Sequence, residues 1–160
     1  MLLSLTVNDT EAMQALGEKI AVVLSDKDVL YLVGELGAGK TTLAQGIVKG
    51  LGYRGIVSSP TFTLMKVYPG DIPVYHFDFY RLEGSELDDL GLEDYLEKEG
   101  IALIEWPEIG AGVLPTEALI IEIHLNQGDY DRERRVLIKA EGTRYRDKLK
   151  ELKDIVDPGN

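Results

Sequence analysis

The chain has 160 residues, 44% of them apolar and 28% charged, and its formal net charge is −11. These values are ordinary for a soluble globular protein and predict a single domain over residues 1–160. The chain has no cysteine, which excludes disulfides and zinc sites built on thiolates. No segment has the pattern of a signal peptide or a membrane span, so we expect a cytoplasmic protein without membrane contact. The acidic balance disfavours nonspecific binding to nucleic acid.

The predicted helices and strands alternate along the chain. Hydrophobic spacing and turn residues predict, in order, a helix over 9–24 capped by Asn8 or Asp9, a strand over 29–33, a helix over 42–51, strands over 62–68 and 74–80, a helix over 85–98, strands over 101–104, 118–125 and 135–140, and a helix over 143–156. The turn signal Pro69-Gly70-Asp71 makes a hairpin of the strands at 62–68 and 74–80. The pattern favours an α/β fold, a three-layer sandwich with a mostly parallel central sheet and one antiparallel hairpin.

Residues 34–41 read Gly-Glu-Leu-Gly-Ala-Gly-Lys-Thr and match the phosphate-binding loop pattern G-x-x-x-x-G-K-[ST]. The motif follows a predicted strand and precedes a predicted helix, which is the context that the pattern requires. The glycines allow successive N–H groups to converge on phosphate oxygens at a helix N-terminus. Lys40 is then expected to reach the β and γ phosphates, and the hydroxyl of Thr41 to bind Mg²⁺. A glycine-rich turn without a ligand is the alternative, but the motif in this context predicts a P-loop NTPase fold that binds a nucleoside triphosphate.

A second acidic residue near the metal is expected at the end of a neighbouring apolar strand. Glu105 ends the run Ile101-Ala102-Leu103-Ile104 and lies at the predicted carboxyl edge of the sheet, where ligands bind in such folds. A solvated glutamate is the alternative, and the phosphate loop favours a metal ligand. Trp106 follows directly and has either a packing role or a place beside the nucleotide.

Residues 76–81 read His-Phe-Asp-Phe-Tyr-Arg and form the second unusual cluster. Strand alternation sends Phe77 and Phe79 to the core and the polar trio His76, Asp78 and Tyr80 to the opposite face, which is either solvated or directed at the active cleft. Asp78 could orient the attacking water or hold a metal-bound water, and Arg81 could stabilise developing negative charge. Thr61, on the loop before the hairpin, could sense the γ-phosphate, or that loop could be an ordinary connection. No Asn-Lys-x-Asp motif occurs, so ATP is the default nucleotide.

Four blocks together resemble one family. They are Gly-Glu-Leu-Gly-Ala-Gly-Lys-Thr-Thr at 34–42, Ser-Pro-Thr-Phe-Thr-Leu at 59–64, His-Phe-Asp-Phe-Tyr-Arg-Leu at 76–82 and Leu-Ile-Glu-Trp-Pro-Glu at 103–108. They resemble the TsaE family, the small bacterial ATPases of tRNA N6-threonylcarbamoyladenosine (t6A) synthesis, over about residues 5–140. The resemblance implies a protein that binds and hydrolyses ATP with Mg²⁺. It also implies docking on a threonylcarbamoyl transferase and its metalloprotease-like companion, which modify adenosine 37 and hold most of the tRNA.

The resemblance also implies roles for particular residues. Lys40, Asp78 and Glu105 would be catalytic, and Thr41 and Glu105 would hold Mg²⁺. The nucleotide would be bound by Thr10, Glu35, Leu36, Gly37, Ala38, Gly39, Lys40, Thr41, Thr42, Thr61, Trp106 and Arg132. After about Tyr145 the sequence carries no family motif, and we expect only a packing helix there.

Two other functions stay open. A binding module that senses a nucleotide without meaningful turnover is one, because weak hydrolysis is expected of a phosphate-loop protein whose arginine finger is not in place. A small-molecule kinase is the other, and it is disfavoured because few arginines precede residue 132 and no arginine-rich lid is evident.

Overall fold

The computed structural model describes residues 2–35, 37–58, 60, 64–80, 91–110, 112–125 and 133–156. Within these residues the strands are β1 (Leu2–Val7), β2 (Val29–Gly34), β3 (Met65–Tyr68), β4 (Val74–Asp78), β5 (Ile101–Glu105), β6 (Ala118–Leu125) and β7 (Arg134–Glu141). The helices are α1 (Thr10–Val23), α2 (Lys40–Gly50), α3 (Leu92–Glu97) and α4 (Thr143–Val156), and a 3₁₀ turn covers Pro107–Gly110. None of these helices is long and apolar enough to cross a membrane.

The strands form one mixed sheet in the order β1-β7-β6-β2-β5-β4-β3. The centre is parallel, because β2 pairs with β5 and β6, and β4 pairs with β5. Both flanks are antiparallel, with β3 on β4 at one side and β7 between β6 and β1 at the other. The predicted α/β class, the parallel centre and the hairpin are therefore confirmed. The sheet is less parallel than predicted, since β6, β7 and β1 add a second antiparallel part.

The sequence reading missed β1, which pairs antiparallel with β7 along its whole length. Leu3 and Val7 of this strand are buried, whereas Ser4 and Thr6 between them are exposed. That alternation is the signature of a half-buried strand. Over six residues such an alternation is too short to identify a strand before its partner β7 is known.

Helices α1 and α2 pack closely on one face of the sheet. Asp9 caps α1 as predicted, since its Oδ1 accepts from the N–H of Ala12 at 2.7 Å. The helices approach each other at Gly17 and Gly46: an ideal Cβ on Gly17 would lie 2.6 Å from the carbonyl oxygen of Leu43. Only a residue without a side chain fits at that distance. Ile20 of α1 and Ile47 of α2 are both fully buried in the large core on this face.

The opposite face of the sheet carries a second, smaller core. Phe77 and Phe79 are fully buried there, as strand alternation predicted. Helix α3, which lies within the helix predicted over 85–98, covers this face with Leu92. Residues 85–90 of the predicted helix lie outside the described residues. Helices on both sides of the sheet give the three layers that the pattern predicted.

Helix α4 spans the residues predicted for it. It is attached to the sheet at the amino end of β2. Asp28 is fully buried, and its carboxylate lies 2.8 Å from Nε of Arg144 and 2.9 Å from Nζ of Lys148. The N–H of Val29 donates to the hydroxyl of Tyr145 at 2.9 Å. These contacts attach the last helix to the edge of the sheet that is opposite the carboxyl ends of the parallel strands.

Candidate functional site

The glycine loop joins the carboxyl end of β2 to the first turn of α2, in the strand–loop–helix order that the motif predicts. Gly37 has φ 81° and Gly39 has φ 117°, conformations that residues with a Cβ rarely adopt. Gly39 is the N-cap residue of α2, so the cap has no side chain to cover the N–H groups of the first turn. A helix start of this kind carries partial positive charge and is suited to binding an anion.

Lys40 is the first residue of α2 and lies beneath the loop. It is only 5% exposed, and its ammonium group donates to the carbonyl oxygen of Gly34 at 2.6 Å. The same nitrogen lies 3.7 Å from the ring centroid of Trp106. Burial lowers the pKa of Lys40 below its ordinary value, and the carboxylates of Glu105 and Asp78 oppose that shift. The loop therefore has a desolvated cation at its base.

Two carboxylates lie side by side at the ends of neighbouring parallel strands. Asp78 ends β4, Glu105 ends β5, and the two residues are direct partners in the register of the sheet. They are 3% and 2% exposed, respectively, so the solvated alternative is wrong for both side chains. The N–H of Tyr80 donates to Oδ1 of Asp78 at 2.9 Å, and the N–H of Phe79 donates to the backbone oxygen of Glu105 at 3.1 Å.

A chain of buried polar groups leads away from Glu105, and sequence reasoning did not find it. Oε2 of Glu105 lies 2.6 Å from Nε2 of His76, and Nδ1 of His76 lies 3.2 Å from the hydroxyl of Tyr68. The Tyr68 hydroxyl donates to the backbone oxygen of Ser58 at 3.0 Å, and burial raises the pKa of this hydroxyl to about 12. Of the polar trio predicted on one face of the strand over 74–80, His76 and Asp78 are buried, whereas Tyr80, which follows the end of β4, is 39% exposed.

Trp106 has a packing role, one of the two roles that the sequence left open, and its place beside a nucleotide stays a prediction. It packs against the smaller core, and its ring also faces Lys40 and lies 5.0 Å from the ring of Tyr80, centroid to centroid. Its backbone has φ 59°, an uncommon conformation for a residue with a side chain. This conformation turns the chain at the end of β5, immediately after Glu105.

A cavity of about 490 Å³ opens beside the loop and receives residues from three parts of the chain. Thr10 and Thr42 line it, at the first turns of α1 and α2. Arg134, at the start of β7, lines it as well, and its Nε donates to the carbonyl oxygen of Ala38 at 3.1 Å. The sequence predicted that Arg132 approaches the nucleotide; this residue lies outside the described residues, so its role stays a prediction. The run Asp-Arg-Glu-Arg-Arg at 131–135 was the available signal, but it does not show which arginine faces the loop.

Of the remaining predicted residues, some are described by the structure and others lie outside the described residues. Glu35 is exposed at the start of the loop, and Thr41 is partly buried in the first turn of α2. Leu36, Thr61 and Arg81 lie outside the described residues. Among the residues that the structure describes, no group of three or more His, Asp or Glu side chains is arranged to hold a metal ion by itself.

A glycine loop between a parallel strand and a helix, with carboxylates at neighbouring strand ends, is typical of α/β proteins that bind phosphate groups. Comparison with known proteins makes the assignment more particular. The chain belongs to the TsaE family, because the family model described as "Threonylcarbamoyl adenosine biosynthesis protein TsaE" matches residues 7–136. The resemblance inferred from the four sequence blocks is confirmed.

Similar proteins cover nearly the whole chain. The tRNA threonylcarbamoyladenosine biosynthesis protein TsaE of Bacillus subtilis is 44% identical over 148 residues, which are 92% of this chain and 90% of that protein. The Haemophilus influenzae protein of the same name is 40% identical over 143 residues, 84% of this chain and 87% of that one. The crystal structure of Bacillus subtilis YdiB matches with a TM-score of 0.85 and 35% identity, over 98% of this chain and 97% of that chain.

Proposed function

We propose that this protein is a P-loop ATPase that binds and hydrolyses ATP as an accessory to t6A modification of tRNA. Its relatives of the same family are named for t6A biosynthesis, which supports a role in that modification. The observation that carries the ATPase part is the placement of Lys40. Its ammonium group lies under a glycine loop whose conformation suits phosphate binding, and beside the buried pair Asp78 and Glu105.

The residues present fit ATP and Mg²⁺. Mg²⁺ is usually held by one or two carboxylates together with phosphate oxygens and water, so Glu105 and the Thr41 hydroxyl would be its protein ligands. Bound Mg²⁺ would supply neutralisation of the phosphate charge. The ATP contacts would come from Glu35, Leu36, Gly37, Ala38, Gly39, Lys40, Thr41, Thr42, Thr61, Trp106 and, at the cavity beside the loop, Thr10 with Arg134 or Arg132.

Asp78 is the best candidate for orienting the attacking water. Its carboxylate is buried and held by the backbone of Tyr80. It also neighbours Glu105 in the register of the sheet, so both carboxylates end at the edge that carries the loop. Preorganised groups of this kind lower a barrier chiefly by position and electrostatics. Asp78 would therefore contribute more to turnover than to nucleotide affinity.

The partners would be the threonylcarbamoyl transferase and its metalloprotease-like companion, in the cytoplasm. In this scheme the chain docks on their complex and hydrolyses ATP, while the partners form the new bond. The net charge of −11 supports a division in which the partners hold most of the tRNA.

The test is phosphate release from Mg·ATP by the purified chain, alone and with the two partners and tRNA. Lys40→Ala is the blank, and Lys49→Ala is the matched control because this lysine lies on the same helix with a side chain 72% exposed. Slow release that rises with the partners supports the accessory ATPase. ATP binding with no rise in release would point to the second candidate, a nucleotide sensor.

One observation keeps the sensor as the second candidate. The guanidinium of Arg134 lies beside the loop, but it bonds to the carbonyl oxygens of Ala38 and Gly37. An arginine that stabilises a transferring phosphoryl group accounts for much of the rate in enzymes of this kind. With Arg134 engaged in this way, hydrolysis by the chain alone would be slow.

A further inference from the structure

The series of polar groups from Glu105 to Ser58 connects three strands, β5, β4 and β3, and the loop that contains Ser58. His76 lies on β4, two residues before Asp78, and is fully buried. Tyr68, on the edge strand β3, is 3% exposed. Burying a polar side chain is costly unless its hydrogen bonds are made. Here both ring nitrogens of His76 have partners, so the imidazole is held at both ends.

The hydrogen-bond donors in this series of polar groups can be assigned by counting hydrogens. Tyr68 has one hydroxyl hydrogen, and it is directed at the carbonyl oxygen of Ser58. The contact between Tyr68 and Nδ1 of His76 then requires the hydrogen on Nδ1. A single proton remains between Nε2 of His76 and Oε2 of Glu105, which are 2.6 Å apart. Tyr68 therefore orients the ring that orients the carboxylate.

We infer that His76 is a positioning residue that fixes the carboxylate of Glu105 in the orientation needed to bind Mg²⁺ with a nucleotide, and that Tyr68 fixes His76 in turn. The inference rests on the proposed function, since it assigns a role in the same site. Partners in the outer shell of a metal ligand typically change metal affinity or activity by about 10- to 100-fold when they are mutated.

The alternative is that His76 only fills the sheet interior, and two amide variants separate these roles. The amide nitrogen introduced by His76→Gln lies about where Nε2 lay, so it can still bond to Glu105. The nitrogen introduced by His76→Asn lies about where Nδ1 lay, so it can bond to Tyr68 but not to Glu105. Both variants keep a buried polar side chain without the ring, and a role in filling space predicts similar effects for both.

The measurement is the dissociation constant of ADP with Mg²⁺ and with EDTA, followed by the fluorescence of Trp106. This is the only tryptophan in the chain, and its ring lies 3.7 Å from Nζ of Lys40, so the signal should respond to phosphate binding. The ratio of the dissociation constant with EDTA to that with Mg²⁺ reports how strongly Mg²⁺ supports binding. A general loss of folded protein does not change this ratio. Glu105→Gln is the positive control and should bring this ratio close to one.

We expect His76→Asn to lower the ratio by about 10- to 100-fold, and His76→Gln to keep most of it. Equal ratios in the wild type and His76→Asn, or equal losses in both amide variants, would overturn the inference. If the wild type binds ADP with Mg²⁺ support, the proposed site stands even when the inference fails. A wild type that binds no nucleotide would overturn both.

Tyr68→Phe provides an independent arm should His76→Asn fail to fold. It keeps the ring of residue 68 and removes the hydroxyl that bonds to His76 and Ser58. The inference predicts a smaller fall in the same ratio, because His76 remains next to Glu105 but loses the partner of Nδ1. An unchanged ratio in this variant would remove Tyr68 from the inferred arrangement.

Discussion

Replacing Gly46 by alanine would place a methyl group in the contact between α1 and α2. An ideal Cβ on Gly46 lies 2.9 Å from both the Cα and the carbonyl carbon of Gln14, and still closer to its carbonyl oxygen. Carbon atoms prefer separations of about 3.5–4.0 Å. The atoms in the way belong to backbone, so no rotamer change relieves the overlap, and the two helices would have to separate.

The expected change in stability is the sum of two opposing effects. Glycine to alanine in an open helix interior stabilises by about 1 kcal/mol. Extra volume in a well-packed core costs about 1–3 kcal/mol, and contacts with backbone favour the upper part of that range. We therefore expect Gly46→Ala to lower the free energy of unfolding by about 2 kcal/mol. At an ordinary glycine in a helix, the same substitution would raise the free energy of unfolding instead.

Urea unfolding followed by circular dichroism measures this change. Gly112→Ala is the control, because a Cβ on Gly112 meets no heavy atom within 4 Å and the residue lacks a left-handed backbone. The control should change stability by no more than about 0.5 kcal/mol. An increase of about 1 kcal/mol for Gly46→Ala would refute the close contact between the helices.

Three further predictions concern the site, the attachment of α4 and the response to pH. Asp78→Ala should leave ATP binding largely intact and reduce phosphate release, and an equal loss of both would contradict its role in turnover. Asp28→Ala should lower the free energy of unfolding in urea by about 3 kcal/mol, because two cations lose a buried partner. Glu122→Ala breaks a partly exposed pair with Lys139 and should cost under about 1 kcal/mol. Similar losses in both variants would contradict the greater importance of the buried ion pairs. Burial raises the pKa of Tyr31 and Tyr68 from 10.0 to about 12, so their contribution to stability is complete below pH 10 and is lost as the pH rises through 12. Stability measured across that interval should fall, with a smaller fall in Tyr68→Phe, and a constant value would contradict the shifts.

The sequence predicted the helices whose hydrophobic spacing or capping residues lie within the helix segment itself. Helix α4 has the predicted bounds, and α1 begins after Asp9, whose side chain makes the cap. Helix α2 begins at Lys40, two residues before the predicted start, because Gly39 in a left-handed conformation already serves as its N-cap. The strand β1 was missed because a short alternation becomes distinct only when its partner β7 is known.

The site was only partly predictable, since its contacts depend on which strands are neighbours. The glycine loop and Lys40 follow from one contiguous motif. The contact between His76 and Glu105 joins residues 29 positions apart, and it exists because β4 and β5 are parallel neighbours in a particular register. Arg134 reaches Ala38 across 96 positions, through the antiparallel flank that the sequence reading did not assemble.

The six-residue strand β2 has a different task at each of its ends. Asp28, just before it, anchors the last helix, whereas Gly34, at its other end, begins the loop that holds Lys40. Changes that strengthen the anchor are therefore separated by the length of β2 from the edge at which the proposed nucleotide site lies. Heat resistance and the proposed nucleotide affinity are then properties that can evolve, or be engineered, independently.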